Sequence, residues 1–363
     1  MTEINKEIVE NALRQIIDHN TDEDPVSSKS VKKIEIEGGR VTIDLTLGYP
    51  AKSWTDEYSR LLVEKVESLE GVDSAVVNIG WDIVTHAVQK GVKPIPGVRN
   101  MIAIASGKGG VGKSTLAVNL ALSLSAEGAS VGLLDADIYG PSQPRMLGVS
   151  SQPESRDGKT MEPLNSYHIQ AMSIGFLIDE ETPMIWRGPM VTQALEQLMR
   201  DTRWDDLDYL IIDLPPGTGD VQLTLAQKVP VTGALIVTTP QDIALLDARK
   251  AYKMFEQVEI PVIGLVENMS THVCSECGHE EHIFGKGGGK RLAEEYGVEH
   301  LGDVPLDLRI REDVDLGKPT IVADPESAIT NNFKRIARRV AGKLSVRSKD
   351  YTEAFPSIVI QNN

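Results

Sequence analysis

The chain has 363 residues, 41% of them hydrophobic and 25% charged, with a net charge of −16 and a pI near 4.9. That is the make-up of a globular protein of about two domains, and its acidity argues against general nucleic-acid affinity, which needs a basic face. No apolar run approaches the roughly 18–20 residues of a membrane span, and MTEINKEIVE lacks the basic and apolar regions of a secretory leader, so the expected location is the cytoplasm.

Residues 1–90 read as a small α+β unit of order αββαβ. Ile4, Ile8, Ala12 and Ile16 recur every four residues and predict a helix with one apolar face. Ile34 and Ile36, a Gly38-Gly39 turn, and Val41, Ile43, Leu45 and Leu47 predict a β-hairpin. Ser53 followed by Asp56 predicts a capping box for a second helix, closed by Gly71 before a strand over Val72–Trp81. Residues 91–99, rich in Gly and Pro, read as a linker.

From residue 100 to 345 the pattern changes to short apolar runs separated by helical stretches. The runs are Met101–Ala105, Ser130–Leu134, Tyr209–Ile212, Gly233–Val237 and Val262–Val266. Runs of that kind suit a parallel sheet covered on both faces, so the expectation is an α/β, doubly wound parallel-sheet domain behind the small α+β unit. Residues 346–363 read as an irregular tail.

The first run leads directly into GKGGVGKST, residues Gly107, Lys108, Gly109, Gly110, Val111, Gly112, Lys113, Ser114 and Thr115, and then into a helix. This is a P-loop (Walker A) pattern in its strand–loop–helix context, and it predicts binding of Mg-ATP. Glycines let backbone N–H groups converge on phosphate, Lys113 reaches the β- and γ-phosphates, and the Ser114 hydroxyl is placed to ligate Mg²⁺. Lys108 is extra to the pattern; it is either a solvated loop lysine or one that crosses to a second subunit's nucleotide in the manner of an arginine finger. Asp135 and Asp137 follow the next run, and Asp213 follows the run Tyr209–Ile212. Ligands of such sheets sit at the strands' carboxyl ends, so Asp213 is expected to hold Mg²⁺ through water and Asp137 to orient the attacking water, while Asp135 caps its turn.

The two cysteines, Cys274 and Cys277, are spaced C-x-x-C. A redox pair fits the Gly-rich continuation FGKGGG poorly. A zinc knuckle completed by His279 and His282 is a second reading. An iron–sulfur cluster takes four thiolates, so the third reading is a [4Fe–4S] cluster bridging a homodimer. The basic, amphipathic stretch 331–349 reads as the last helix of the domain, packed by its apolar face, or else as a membrane-binding helix.

With these residues in view, the chain resembles the Mrp family of iron–sulfur carrier ATPases, within the MinD/ParA group. The resemblance runs through GKGGVGKST, GLLDADIYGPSQPRMLG, WRGPM, WDDLDYLIIDLPPGTGD, VTTPQDIALLDARK, GLVENMS and CSECGHEEHIFGKGGG. It implies phosphate contacts for Lys108 and Lys113, a catalytic carboxylate at Asp137, Mg²⁺ at Asp213, and adenine held by Asn268. It also implies transfer of the cluster to recipient apoproteins, and residues 1–90 resemble a domain of iron–sulfur assembly factors. That domain often carries a cysteine before its second helix; LGYPAKSWTDE has none. The alternative function is a MinD/ParA-like positioning ATPase with structural zinc. The acidic balance fits simple solubility or a halophile's cytoplasm.

Overall fold

The structure is a computed structural model that describes residues 4–89, 91–178 and 188–347. Trp186 and Arg187 of the WRGPM motif, and the tail from 348 onward, lie outside the described residues.

The small unit opens with α1 (Lys6–Leu13), whose first turn is capped by the Asn5 side chain accepting from the Ile8 N–H. It buries Val9, Ala12 and Leu13, not the expected Ile4–Ile8–Ala12–Ile16 stripe. The helix is only two turns long, so Ile4 and Ile16 lie beyond its ends and pack half-buried on the core. Strands β1 (Val31–Glu37) and β2 (Arg40–Leu47) form the hairpin, with Glu37 opposite Arg40 and Gly38 at φ 60. Helix α2 (Thr55–Glu67) then crosses over to β3 (Ser74–Trp81), parallel to β2. The expected capping box does not form. Trp54 occupies the cap position, and Ser53 is turned toward Glu127, with which its amide and hydroxyl both bond.

The larger unit runs β4 (Val98–Ala105), α3 (Lys113–Ala126), β5 (Val131–Asp135), α4 (Gln143–Met146), β6 (Leu164–Ser166) and β7 (Ile169–Ser173). It continues with α5 (Gly188–Asp201), β8 (Leu207–Asp213), α6 (Asp220–Lys228), β9 (Gly233–Thr238), α7 (Asp242–Gln257) and β10 (Val262–Asn268). A small hairpin, β11 (His272–Val273) and β12 (Glu280–Glu281), precedes α8 (Gly288–Tyr296), β13 (Glu299–Val304), α9 (Leu308–Asp315), α10 (Thr320–Ala323) and α11 (Ala328–Ser345). The sheet order is β13-β10-β9-β4-β8-β5-β7-β6, parallel except for β6. The central strands are buried throughout, which is why they read as continuous apolar runs.

Three strands of this sheet had no such signal. The turn joining β6 and β7 is made by Tyr167 and His168, at φ 48 and 65, without the glycine that marks a tight hairpin. At the other edge, β13 reads EHLGDV because it pairs on one side only.

The C-terminal helix packs on the domain. Phe333, Ile336, Ala337, Val340, Ala341 and Leu344 of α11 are buried against α3 and the β10/β13 edge. Its basic face meets the small unit: Arg338 donates to Glu127 at 2.9 Å and to Ser53 at 2.6 Å, and Lys343 bridges Asp22 and Glu299. Gly342 lies so close to Asn20 that a Cβ would stand 2.4 Å from its carbonyl oxygen. Residues at the junction are pinned as well, since the Asn100 amide oxygen accepts from the His86 N–H at 3.1 Å and the Arg99 guanidinium donates to the Ile83 carbonyl at 3.2 Å. Among the described residues no helix is long and apolar enough to cross a membrane.

Candidate functional site

The site is built where β4, β5 and β8 end. β4 delivers the chain into 107–115, and Gly110 and Gly112, both at φ 82, give the loop the left-handed backbone that other residues rarely adopt. Gly107 abuts α7, where an added Cβ would stand 2.1 Å from the Asp247 backbone. Gly112 precedes helix α3 and has no side chain to cap it, so the helix's first N–H groups are left free of a side-chain cap at the loop. The helix is buried along most of its length between the sheet and α11, which makes it a firm mount for the loop.

Lys113 is 6% exposed; its Nζ pairs with the fully buried Asp213 carboxylate and lies 3.2 Å from the Ser114 hydroxyl. Asp213 and Asp135 are register neighbours on β8 and β5. Asp135 accepts from the N–H groups of Asp137, Ser142 and Gln143 and from the Ser173 hydroxyl, at 3.0–3.1 Å, and so fixes the loop that carries Asp137. Burial, and then the Asp213 charge, push the Asp135 carboxyl up to about 7. Half-buried Asp137 is also raised, chiefly by desolvation, against the pull of Lys113. The hydroxyl and carboxylates form a hard-oxygen set of the kind Mg²⁺ takes.

The structure adds a residue that the sequence pattern did not single out. The Gln143 amide, 1% exposed, donates to Asp213 at 2.9 Å and to the Ser114 carbonyl at 3.1 Å, tying three parts of the site together. It lies within GLLDADIYGPSQPRMLG, yet nothing in its spacing marks it. Lys108 is half-buried, and its carbonyl accepts from the Ser106 hydroxyl. Thr115 opens α3 beside Ser114, its carbonyl accepting from Asn119. Asn268, at the end of β10, donates its amide to the Val111 carbonyl at 2.8 Å, so it braces the P-loop directly.

Cys274 and Cys277 sit on the tip of the β11–β12 hairpin, away from the sheet's core, half-buried and exposed respectively. The tip is closed by Cys274 N–H to the His279 carbonyl and Gly278 N–H to the Cys274 carbonyl, both 2.9 Å. The backbone N–H groups of Cys277 and Glu276 and the Cys277 thiol hold the Cys274 thiol below the ordinary range. The zinc set with both histidines is not assembled. His282 is turned to the Ser270 carbonyl, 3.0 Å away, and His279 lies 3.7 Å from Glu281. Among the described residues no three metal-ligating side chains converge. Beside the hairpin opens a cavity of about 650 Å³, lined by Val273, His282, Lys286, Lys290, His300 and Arg309 among others.

Two family profiles match the chain: one described as NUBPL iron-transfer P-loop NTPase, over residues 97–341, and one described as iron–sulfur cluster assembly protein, over residues 6–79. The chain is 48% identical to an iron–sulfur cluster carrier protein of Haemophilus influenzae, covering 92% of each. It is 52% identical to the mouse iron–sulfur cluster transfer protein NUBPL, over 69% of this chain and 80% of that one. Among solved structures, a nucleotide-binding protein of Archaeoglobus fulgidus in complex with ADP matches with a TM-score of 0.57 and 36% identity, over 65% of this chain and 93% of that chain. The MinD cell-division ATPase of Pyrococcus furiosus, at 22% identity and a TM-score of 0.51 over 66% of this chain and 98% of that chain, shares the fold.

Proposed function

The chain belongs to the NUBPL iron-transfer P-loop NTPase family, and on that premise we propose that it is a cytoplasmic ATPase that carries a [4Fe–4S] cluster between two copies of itself and hands it to recipient apoproteins. The observation that carries this reading is the hairpin tip: two thiols, that of Cys274 held below its ordinary range, with no third metal-ligating side chain gathered around them among the described residues. A Cys₄ cluster then needs a second copy of the hairpin, related by a two-fold axis.

The ATP site supplies the other half. In this reading the loop N–H groups and Lys113 hold the β- and γ-phosphates, and Asn268 steadies the loop beside the adenine. Ser114 and Asp213 would hold Mg²⁺, which neutralises the charge that develops on the transferring phosphoryl group. Asp137, whose carboxyl burial raises above its ordinary range, orients the attacking water and, as the carboxylate, accepts its proton. Lys108 reaches across to the partner's nucleotide, so that hydrolysis and the two-fold contact depend on each other. Gln143 couples Asp213 to the Asp137 loop.

Anaerobic reconstitution tests the reading. The expected product is a brown dimer with about four irons per two chains, lost in Cys274→Ala and in Cys277→Ala while Mg-ATP binding persists. Tightly bound zinc on a colourless monomer that takes up no iron would sink it.

A further inference from the structure

The cysteine hairpin is fastened at both of its feet by a histidine. His272, the first residue of β11, places Nδ1 3.1 Å from the Leu306 carbonyl. His282, just past β12, places Nδ1 3.0 Å from the Ser270 carbonyl. A carbonyl oxygen only accepts, so each Nδ1 carries the proton and donates. The two anchor points are not remote. Ser270 follows β10 and Leu306 follows β13, and these neighbouring strands end on the side of the sheet where the phosphate loop lies.

The anchors are themselves bound to each other and to the loop. Ser270 donates both its N–H and its hydroxyl to the Val304 carbonyl, at 3.0 and 3.1 Å, and Leu306 N–H donates to the Thr271 carbonyl at 2.7 Å. Two residues before Ser270, Asn268 holds the Val111 carbonyl of the P-loop. Between them Met269 is forced to φ 57, so the backbone turns sharply, with little slack to absorb movement. One residue before Asn268, Glu267, 2% exposed, accepts from the Gly289 N–H at the start of α8. The segment 267–270 therefore touches the phosphate loop, the hairpin's foot and the following helix within four residues.

We propose that His272 and His282 are positioning residues that transmit the state of the ATP site to the two thiols, through the Asn268–Ser270 turn and its ladder to Leu306. The inference deepens the carrier reading and rests on it for its biological sense, but its physical content is a coupling between two sites of one chain.

Cys274 and Cys277 are the chain's two cysteines, so alkylation reads the hairpin alone. The experiment uses the full chain, freed of iron, and compares alkylation rates with and without saturating Mg-ATP. In the parent the rates should differ by about five-fold or more, the lower end of ordinary coupling between sites. His272→Ala and His282→Ala should each bring the ratio to within about two-fold of unity, with Mg-ATP affinity unchanged. His282→Asn, which restores an N–H donor to the Ser270 carbonyl, should recover the parental ratio. A parental ratio of one, alanine variants that keep the full effect, or alanine variants that lose Mg-ATP affinity would each overturn the relay. Iron uptake is measured separately on the same proteins, so a chain that binds no cluster yet keeps the nucleotide-dependent ratio would refute the cargo reading and leave the relay standing.

Discussion

Lys113 and Asp213 show why a site residue's substitution has two effects. On the proposed reading Lys113→Ala removes the charge that holds the phosphates, so ATP hydrolysis should vanish. It also leaves Asp213, fully buried beside Asp135, without its cation, and unpaired buried charges cost about 3–5 kcal/mol. Thermal unfolding recorded alongside turnover should show both losses; unchanged turnover would refute the phosphate role. Asp137→Ala, by contrast, should keep ATP bound and slow hydrolysis, because that carboxyl is half-buried and takes no part in the ion pair. The pH dependence follows from Asp135, whose folded carboxyl is raised to about 7. A raised carboxyl binds a proton more tightly in the folded chain, so its stabilising effect is present below about pH 4 and is lost as pH rises through about 7. Melting temperature should therefore fall over that window, and Asp135→Asn should flatten the fall. At the acid end of that window the variant should also be less stable, by about 1–3 kcal/mol, because one end of its amide faces N–H donors. A pH profile identical to the parent's would overturn this assignment.

At the scale of elements, the sequence was most legible where burial is complete. The five central strands are apolar runs because helices cover both faces, and the P-loop is legible because phosphate chemistry dictates its glycines and lysine. Legibility fell away where tertiary contacts decide. The Ser53 motif looks like a helix cap, yet its hydroxyl is claimed by Glu127, 74 residues on. Gln143 joins the site through a fold contact with Asp213, 70 residues away, that no local spacing encodes. The basic face of α11 looks like a lipid-facing surface until Asp22, Glu127 and Glu299 are placed opposite it. That placement yields a ranking. Arg338→Ala strands the fully buried Glu127 and should cost about 3 kcal/mol or more, whereas an exposed pair such as Arg311–Asp315 should cost about 1 kcal/mol or less when broken. Denaturant unfolding of the two variants checks the order, and equal losses would mean that Ser53 alone satisfies Glu127.

For the whole molecule, side-chain contacts fasten the small unit to α11 and to the start of β4. Cutting the chain after residue 90 removes Ser53, Asp22 and Asn20 from α11, and His86 from Asn100. The residues assigned to ATP and cluster all lie beyond the cut, so both activities should survive in material that stays folded. Unfolding should nevertheless begin at a lower temperature than in the full chain, by several degrees for each kcal/mol lost. Loss of cluster from a shortened but folded chain would place the small unit inside the cargo site.

Helix α3 gives that docking a mechanical meaning. Its 14 residues span about 21 Å at 1.5 Å per residue, with the phosphate loop at one end. Glu127, immediately past the other end, grips Ser53 and Arg338, and Gly128 beyond it lies against the Trp81 ring. A rod buried along most of its length moves as a body. A displacement of the small unit is therefore carried along the shaft to the phosphate loop at its other end.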